Sequence, residues 1–413
     1  MECRVCRSQR LEQFLDLGDQ PHCDSLLRPE DLRQKEPYYP LQVCFCLDCT
    51  TVQINYTVPK ETMFGEYLYV SGTTQTLRTH FQNSADRLVA QLGLKANDLV
   101  VDIGSNDGTW LACYRKHGLR MLGVDGAQNL AAMANARGVE TWAKFFNAGV
   151  ARDIIAQKGR AKLVTAAGVF FHLEELHSVT EGIAELIRDG GVFCVQAISL
   201  GEMLKHTQFD QVYHEHLTYW TVKTLDCLFA QYGLEIFHAD TLTIHGGSLE
   251  LLVAARGARP IDASVEKMRA EEKRLGFDKL ETYKKFAARV WEIEAELLAI
   301  LRDYAARGKK VYAFGAPAKG ATLLNSFHIT TELVQCAVEV NPLKMGKYIP
   351  GARLPIVDEK TMDVPDAYLI LAWNFLKEFL PKKRDYIMAG GKFIVPIPTP
   401  VVIDKDNYAQ FAG

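Results

Sequence analysis

The chain has 413 residues, 48% of them apolar and 23% charged, with a formal net charge of −3. That length asks for two or three cores rather than one, and the slight acidic balance gives no footing for a nucleic-acid or anionic-membrane surface. No run of 18 apolar residues is present and the opening MECRVCRSQR lacks the apolar stretch of a secretory leader, so a soluble, cytoplasmic protein is expected. Its ten cysteines then favour metal over disulfides.

Residues 1–58 read as a cysteine-rich head. Cys3-x-x-Cys6 and Cys46-x-x-Cys49 have the hook spacing of a four-thiolate zinc site. An iron–sulfur or redox pair is the alternative, and Cys44 could stand in for Cys46 only by widening the spacing to Cys49. So short a segment with few apolar runs needs such a staple, and a closed four-thiolate set makes the zinc structural. A linker follows from residue 59. Its Tyr67 and Tyr69 share one side if the segment is extended, which fits a strand edge as well as a mouth over a polar ligand. Thr73 or Thr74 then caps an entry helix running to about Leu92.

Residues 93–255 alternate strand and helix. The stretch 99–111, LVVDIGSNDGTWL, is a short apolar strand, then Asp102, then Gly104 and Gly108 around Ser105, Asn106 and Asp107, then a helix from Thr109. Strand, glycine loop and helix bring backbone close to a polar ligand at a helix N-terminus. The glycine spacing is not that of a dinucleotide loop, and no Lys-Ser/Thr follows as in a P-loop. It resembles the first motif of the S-adenosylmethionine-dependent methyltransferases. The next strand, 120–124, ends at Asp125, where a carboxylate can accept from both ribose hydroxyls of a nucleoside or cap the following helix. Strands are also expected at 140–143, 162–166 and 192–196. His172 stands just past the second of these, at the edge where open α/β sheets hold ligands.

The densest polar cluster is 209–220, FDQVYHEHLTYW, with Tyr213, His214, Glu215, His216 and Tyr219. His214 and His216 would share a face if this were a strand, yet the pattern lacks a local third ligand and is not H-E-x-x-H. A histidine base beside a carboxylate, removing a proton from carbon next to a ketone, is the preferred reading. His245-Gly246-Gly247 sits in a strand–turn context. Charged-faced helices over 263–307 read as a packed connector. Residues 308–413 form a second α/β unit, with strands at 310–314, 335–340, 368–372 and 392–395. Its loop Gly315-Ala-Pro-Ala-Lys319-Gly320 offers an anion site suited to a diphosphate, a scaffolding role being the alternative.

Taken together, the four-cysteine head, the tyrosine–Ser-Gly linker, the glycine-loop core, the Tyr-x-Glu-His segment and the G-A-x-A-K-G unit resemble the three-domain nucleotide-sugar C-methyltransferases of deoxysugar biosynthesis, such as the sugar 3-C-methyltransferases of tetronitrose pathways. The resemblance runs nearly end to end. It implies an α/β protein with a small zinc-binding N-terminal domain (1–58), a Rossmann-like class I methyltransferase core with its linker (59–255) and a C-terminal Rossmann-like domain that helps bind the nucleotide sugar (256–413). Carried over, Cys3, Cys6, Cys46 and Cys49 hold zinc. Asp102, Gly104, Asn106, Gly108 and Asp125 hold S-adenosylmethionine. His216 is the general base, with Glu215, Tyr213, His172 and Tyr69 around it, and His245, Gly246, Gly315 and Lys319 face the substrate. Gly168 stands where Asn is usual, Gln196 where Glu is usual and Glu250 where Arg is common.

The expected activity is C-methylation of a 4-keto-deoxy nucleotide sugar, dTDP-linked and at C3, with Glu215 orienting His216. No nucleic-acid, membrane or protein partner is expected. An O- or N-methyltransferase, or a silent binder of S-adenosylmethionine or a sugar nucleotide, is the competing reading.

Overall fold

The structure is a computed structural model describing residues 2–65, 67 and 69–412, with His245 as backbone only. Among these residues the strands in chain order are β1 (Leu11–Gln20), β2 (Tyr39–Cys46), β3 (Val52–Ile54), β4 (Leu99–Ile103), β5 (Arg120–Asp125), β6 (Thr141–Ala143), β7 (Leu163–Ala167), β8 (Val192–Ile198), β9 (Thr218–Tyr219), β10 (Leu234–Leu242), β11 (Ser248–Ala255), β12 (Val311–Phe314), β13 (Ala337–Glu339), β14 (Ile356–Asp358), β15 (Ala367–Ile370), β16 (Lys392–Val395) and β17 (Val401–Ile403). They form three sheets, ordered β1-β2-β3-β9, then β10-β11-β8-β7-β4-β5-β6, then β14-β13-β12-β15-β16-β17.

The head is more than a metal-stapled loop. β1 and β2 make an antiparallel hairpin with Leu11 opposite Cys46 and Gln20 opposite Tyr39. Leu15 and Leu17 turn inward on alternate positions while Asp16 faces water, the period of a half-buried strand. β3 adds to it, and β9, from the far side of the polar cluster, closes the sheet as its fourth strand. The middle sheet runs parallel from β8 through β7, β4 and β5 to β6, with the antiparallel pair β11 and β10 at one edge. β4 and β7 are apolar and buried on both faces, as parallel strands covered by helices are. The third sheet is parallel except for β17.

The entry helix spans Gln75–Leu92, and the Thr74 hydroxyl accepts from the Leu77 N–H as its cap. The connector consists of helices Ala263–Arg274 and Leu280–Ala306. The longer one buries Tyr283, Phe286, Val290, Ile293 and Leu297 along one stripe, and Tyr283 packs against Phe14 and Phe45 of the head. One buried apolar cluster runs from Val5 and Leu15 through Val101 and Phe193 to Leu323 and Leu369, so the head and both α/β units share a core. No helix among the described residues is long and apolar enough to cross a membrane.

The segment 209–220 departs from the strand expectation. It is a 3-10 turn at Phe209–Gln211, a loop closed by the His216 N–H donating to the Tyr213 carbonyl, and only then the short β9. His214 and His216 therefore do not share a strand face. Each ring is drawn instead to a different backbone carbonyl, His214 to Tyr39 and His216 to Gln211, because a buried imidazole N–H needs an acceptor.

Candidate functional site

Both cysteine hooks fold into the same turn. The Arg7 N–H donates to the Cys3 carbonyl and the Thr50 N–H to the Cys46 carbonyl, and Arg7 and Thr50 both take positive φ, 61° and 67°. The paired turns bring the sulfurs of Cys3, Cys6, Cys46 and Cys49 within 4.8 Å of one another, with Cys3–Cys49 and Cys6–Cys46 both at 3.5 Å. A tetrahedral zinc with bonds of about 2.3 Å places its sulfurs about 3.8 Å apart, so the set fits that ion. Cys44 and Cys23 are buried outside it.

In the middle sheet, Asp102 is buried within β4 and accepts from the Thr165 hydroxyl at 2.6 Å; burial pushes its carboxyl up to about 7. Gly104 and Gly108 both take left-handed φ, 68° and 77°, and both make close contacts: a Cβ on Gly104 would meet Val169 at 2.8 Å, one on Gly108 would meet Val139 at 3.1 Å. Gly108 thus lets the loop pack closely on Val139 and Ala134. Asp125 ends β5 with one oxygen accepting from the Asn106 N–H at 2.7 Å and the other from the Ala127 N–H at 2.8 Å. Each oxygen keeps a second lone pair for a hydroxyl donor. Gly168, at the end of β7, has φ 67° and open space where a Cβ would be. The cleft at the C-terminal ends of β4, β5 and β7 thus has the Gly104 loop and the Asp125 carboxylate at its edge, a fit for the ribose of a nucleoside.

The linker straps this cleft. The Asn106 side chain accepts from the Ser71 N–H at 2.9 Å and donates to the Tyr69 carbonyl at 3.0 Å, and Asn129 pairs in the same double fashion with Tyr67. Asn106 is accordingly a clamp on the linker. The two tyrosines part company. Tyr69 is 45% exposed, whereas the Tyr67 hydroxyl donates to Glu215 Oε2 at 2.8 Å. Tyr67 is the linker residue that reaches the polar cluster.

There, four segments converge. His216 Nδ1 lies 2.7 Å from the Gln211 carbonyl, which can only accept, so the proton is on Nδ1 and the basic lone pair on Nε2. The Tyr213 ring lies 3.9 Å from the His216 ring and His172 stacks on it at 5.2 Å, with Phe64 on the far face of His172 and Phe171 edge-on to both imidazoles. Burial pulls the His172 pKa down to about 4, so its ring is neutral at physiological pH, and its buried Nε2 has no hydrogen-bond partner among the described residues. Burial, reinforced by the Glu215 charge, holds the Tyr213 phenol well above its ordinary range, so it remains an O–H donor.

Glu215, expected to orient His216, directs its two oxygens to the head and the linker. Its Oε1 is 3.0 Å from His22 Nε2 and its Oε2 is taken by Tyr67. His22, on the head, is a residue that no local motif pointed to.

In the third sheet the Gly315 loop follows β12, and Glu339 at the end of β13 accepts from the Ala316 N–H at 3.1 Å, the device seen between Asp125 and Asn106. Lys319 does not present its ammonium to that loop. It sits in the first turn of helix Ala318–Ser326, which packs on the Phe209–Gln211 turn, so its side chain enters the interface. Nζ donates to Asn374 at 2.7 Å, lies 3.8 Å from Asp210 and covers the Trp373 ring at 4.1 Å. The cation beside the loop is Lys344, whose Nζ donates to the Ala316 carbonyl at 2.8 Å. Gly246 has φ 86° and packs on Gln208, whose amide donates to the Gly246 carbonyl at 2.8 Å; the His245 side chain lies outside the described residues.

Three family profiles match the chain: "Putative zinc binding domain" over residues 3–64, "Methyltransferase domain" over 77–239 and "C-methyltransferase C-terminal domain" over 243–398. C-methyltransferase NovU of Streptomyces niveus is 36% identical over 409 residues, covering 98% of this chain and 97% of that protein. Among solved structures, the PH0226 protein of Pyrococcus horikoshii OT3 aligns with 46% of this chain and 95% of its own at 14% identity and a TM-score of 0.37. Magnesium protoporphyrin IX methyltransferase of Synechocystis PCC 6803 aligns with 45% and 85% at 15% identity and 0.32.

Proposed function

Because the chain belongs to the S-adenosylmethionine-dependent C-methyltransferases with a zinc-binding head, we propose that it methylates carbon next to the ketone of a 4-keto-deoxy nucleotide sugar, dTDP-linked and at C3. The work divides among units 1–58, 59–255 and 256–413. The carrying observation is the His216 tautomer: Nδ1 is fixed on the Gln211 carbonyl, so Nε2 is the atom that takes the proton.

S-adenosylmethionine, when bound, supplies an electrophilic methyl group. Asp125 accepts from its ribose, and the Gly104 loop, Asp102 and Gly168 line its cleft. His216 Nε2 removes the proton next to the ketone, and the C–H electron pair passes into the enolate. The neutral His172, through its partnerless Nε2, and the Tyr213 hydroxyl are donors for the enolate oxygen. Stacked between rings and away from water, these groups hold the reacting carbon in place, and such positioning matters more here than further acid–base help. The nucleotide lies against the C-terminal unit, where Glu339 stands to the Gly315 loop as Asp125 stands to the Gly104 loop, with Lys344 as the neighbouring cation and Gly246 at the rim.

Incubation with S-adenosylmethionine and a dTDP-4-keto-6-deoxyhexose tests this. Mass spectrometry should show one hydrogen of the sugar replaced by methyl. An unchanged sugar, or a methyl lost on treatment that cleaves O-methyl or N-methyl bonds, would refute it. Asp125→Ala should weaken S-adenosylmethionine binding roughly 10–100-fold by calorimetry, the worth of a hydrogen bond to a charged group. Unaltered affinity would move the ribose elsewhere.

A further inference from the structure

The head reaches into the proton-transfer site. β1 starts opposite Cys46 of the zinc hooks and ends with Gln20, two residues before His22. At about 3.3 Å per residue, its 10 residues carry the chain roughly 30 Å from the metal to the polar cluster. His22 is 6% exposed and held at both ring nitrogens, Nε2 by Glu215 at 3.0 Å and Nδ1 by the Ser25 hydroxyl at 2.9 Å.

We infer that His22 is a positioning residue for methyl transfer: it locks the buried Glu215 carboxylate against the Tyr67 hydroxyl and so keeps a fixed negative charge beside the His172–His216 ring pair. This rests on the proposed function and extends it to a residue of the zinc-bearing head.

A carboxylate 1% exposed takes up a proton unless it is paired. Burial acts on Glu215 in that direction, but the His22 hydrogen bond, with the His22 charge and the Tyr67 hydroxyl, outweighs it and holds Glu215 below the usual carboxylate range. Burial likewise pulls His22 down, and the Glu215 hydrogen bond and charge together with Asp24 overcome it and raise His22 above its ordinary value. Asp24 takes the opposite course, pushed up to about 7 by burial and the Glu215 charge against the pull of Lys344. The Glu215 charge acts on His172, raising a pKa that burial depresses, and His172 stacks on His216. Both Glu215 oxygens being engaged, the substrate proton goes to His216 Nε2 and then to solvent, and the His22–Glu215 pair keeps its protonation throughout. A fixed anion near an imidazole that becomes imidazolium favours the charged form.

The test uses the full zinc-loaded chain with S-adenosylmethionine and a dTDP-4-keto-6-deoxyhexose. His22→Ala should lower kcat roughly 10–100-fold with KM for S-adenosylmethionine unchanged. His22→Gln, whose amide N–H can still donate to Oε1, should recover most of that loss. Equal losses in the two variants would overturn the proposal. An arm independent of turnover reads the ¹⁵N-labelled imidazoles by NMR. The resonance lost in His22→Gln should be shifted in Glu215→Gln, and one that does not move would overturn the pairing. If the wild-type chain leaves the sugar unmethylated, the functional reading fails, and this second arm alone decides the His22–Glu215 pairing. Zinc analysis closes the remaining route, because His22, Cys23 and Glu215 place ligand atoms within 4.8 Å of one another. A second zinc per chain, lost in His22→Gln, would make the trio a metal site and overturn the proposal.

Discussion

His216→Asn should slow methyl transfer roughly 10²–10⁴-fold, the usual worth of a positioned acid–base group, while S-adenosylmethionine affinity stays as it was. The asparagine amide N–H can replace Nδ1 in donating to the Gln211 carbonyl, so the loop 213–216 keeps its closure. What is lost is a basic nitrogen at the position of Nε2. The half-reaction isolates that loss: with S-adenosylhomocysteine in place of the methyl donor, the wild type should exchange the sugar's α-proton with deuterated water and the variant should not. His214→Asn is the control. The His214 Nε2 sits 3.2 and 3.3 Å from the Tyr39 and Pro40 carbonyls, and its ring meets the Tyr39 ring edge-on, so it anchors the loop to the head. Burial pulls its pKa down to about 4, which leaves little basicity near neutral pH. Its loss should lower thermal stability and spare exchange. Exchange that vanishes in His214→Asn and survives in His216→Asn would reverse the assignment. If both variants exchange, the proton goes elsewhere.

How far the sequence could be read depended on how local each signal was. The cysteine hooks, the strand–glycine loop and Asp125 are carried by spacings of a few residues, and the backbone realises each where expected. The linker tyrosines were legible as a pair, but two positions on an extended segment do not say which one is buried. That choice was made by Glu215, far along the chain. His22 was hidden for the same reason, being 193 positions from its partner. Lys319 misled because a lysine in a glycine loop reads as an anion binder, and nothing local announced Asp210 and Trp373 waiting across the interface. Two departures from the family pattern explain each other only in three dimensions. Gln196 donates to Glu250 at 2.8 Å, and Arg87 pairs with that carboxylate, so the acid moves to β11 and the base to the entry helix within one network that runs from the buried Glu250 to the surface. The glycine at 168 in place of Asn is conservative in conformation. Its φ of 67° lies in the left-handed region, where Asn is the most tolerated alternative to glycine.

Removing the zinc should cost more than any single side chain. Structural zinc sites of this type have apparent binding free energies of about 10–16 kcal/mol at neutral pH, and in a small domain that energy is folding energy. Here the metal closes two turns whose Arg7 and Thr50 stand at positive φ, a conformation such residues hold only when the surroundings impose it. Elemental analysis should give near one zinc per chain, falling sharply in Cys46→Ser; absence of zinc, or iron in its place, would refute the assignment. Cys44→Ser should keep its zinc, because that sulfur lies outside the set. The functional consequence follows from the sheets. β3 of the head pairs with β9, just past His216, and the head also provides His22. The Gly104 loop and Asp125 sit on another sheet. A strong chelator should therefore expose the head to limited proteolysis and abolish methyl transfer while calorimetry still detects S-adenosylmethionine binding. Parallel loss of binding and turnover would mean that the core depends on the metal as fully as the head does.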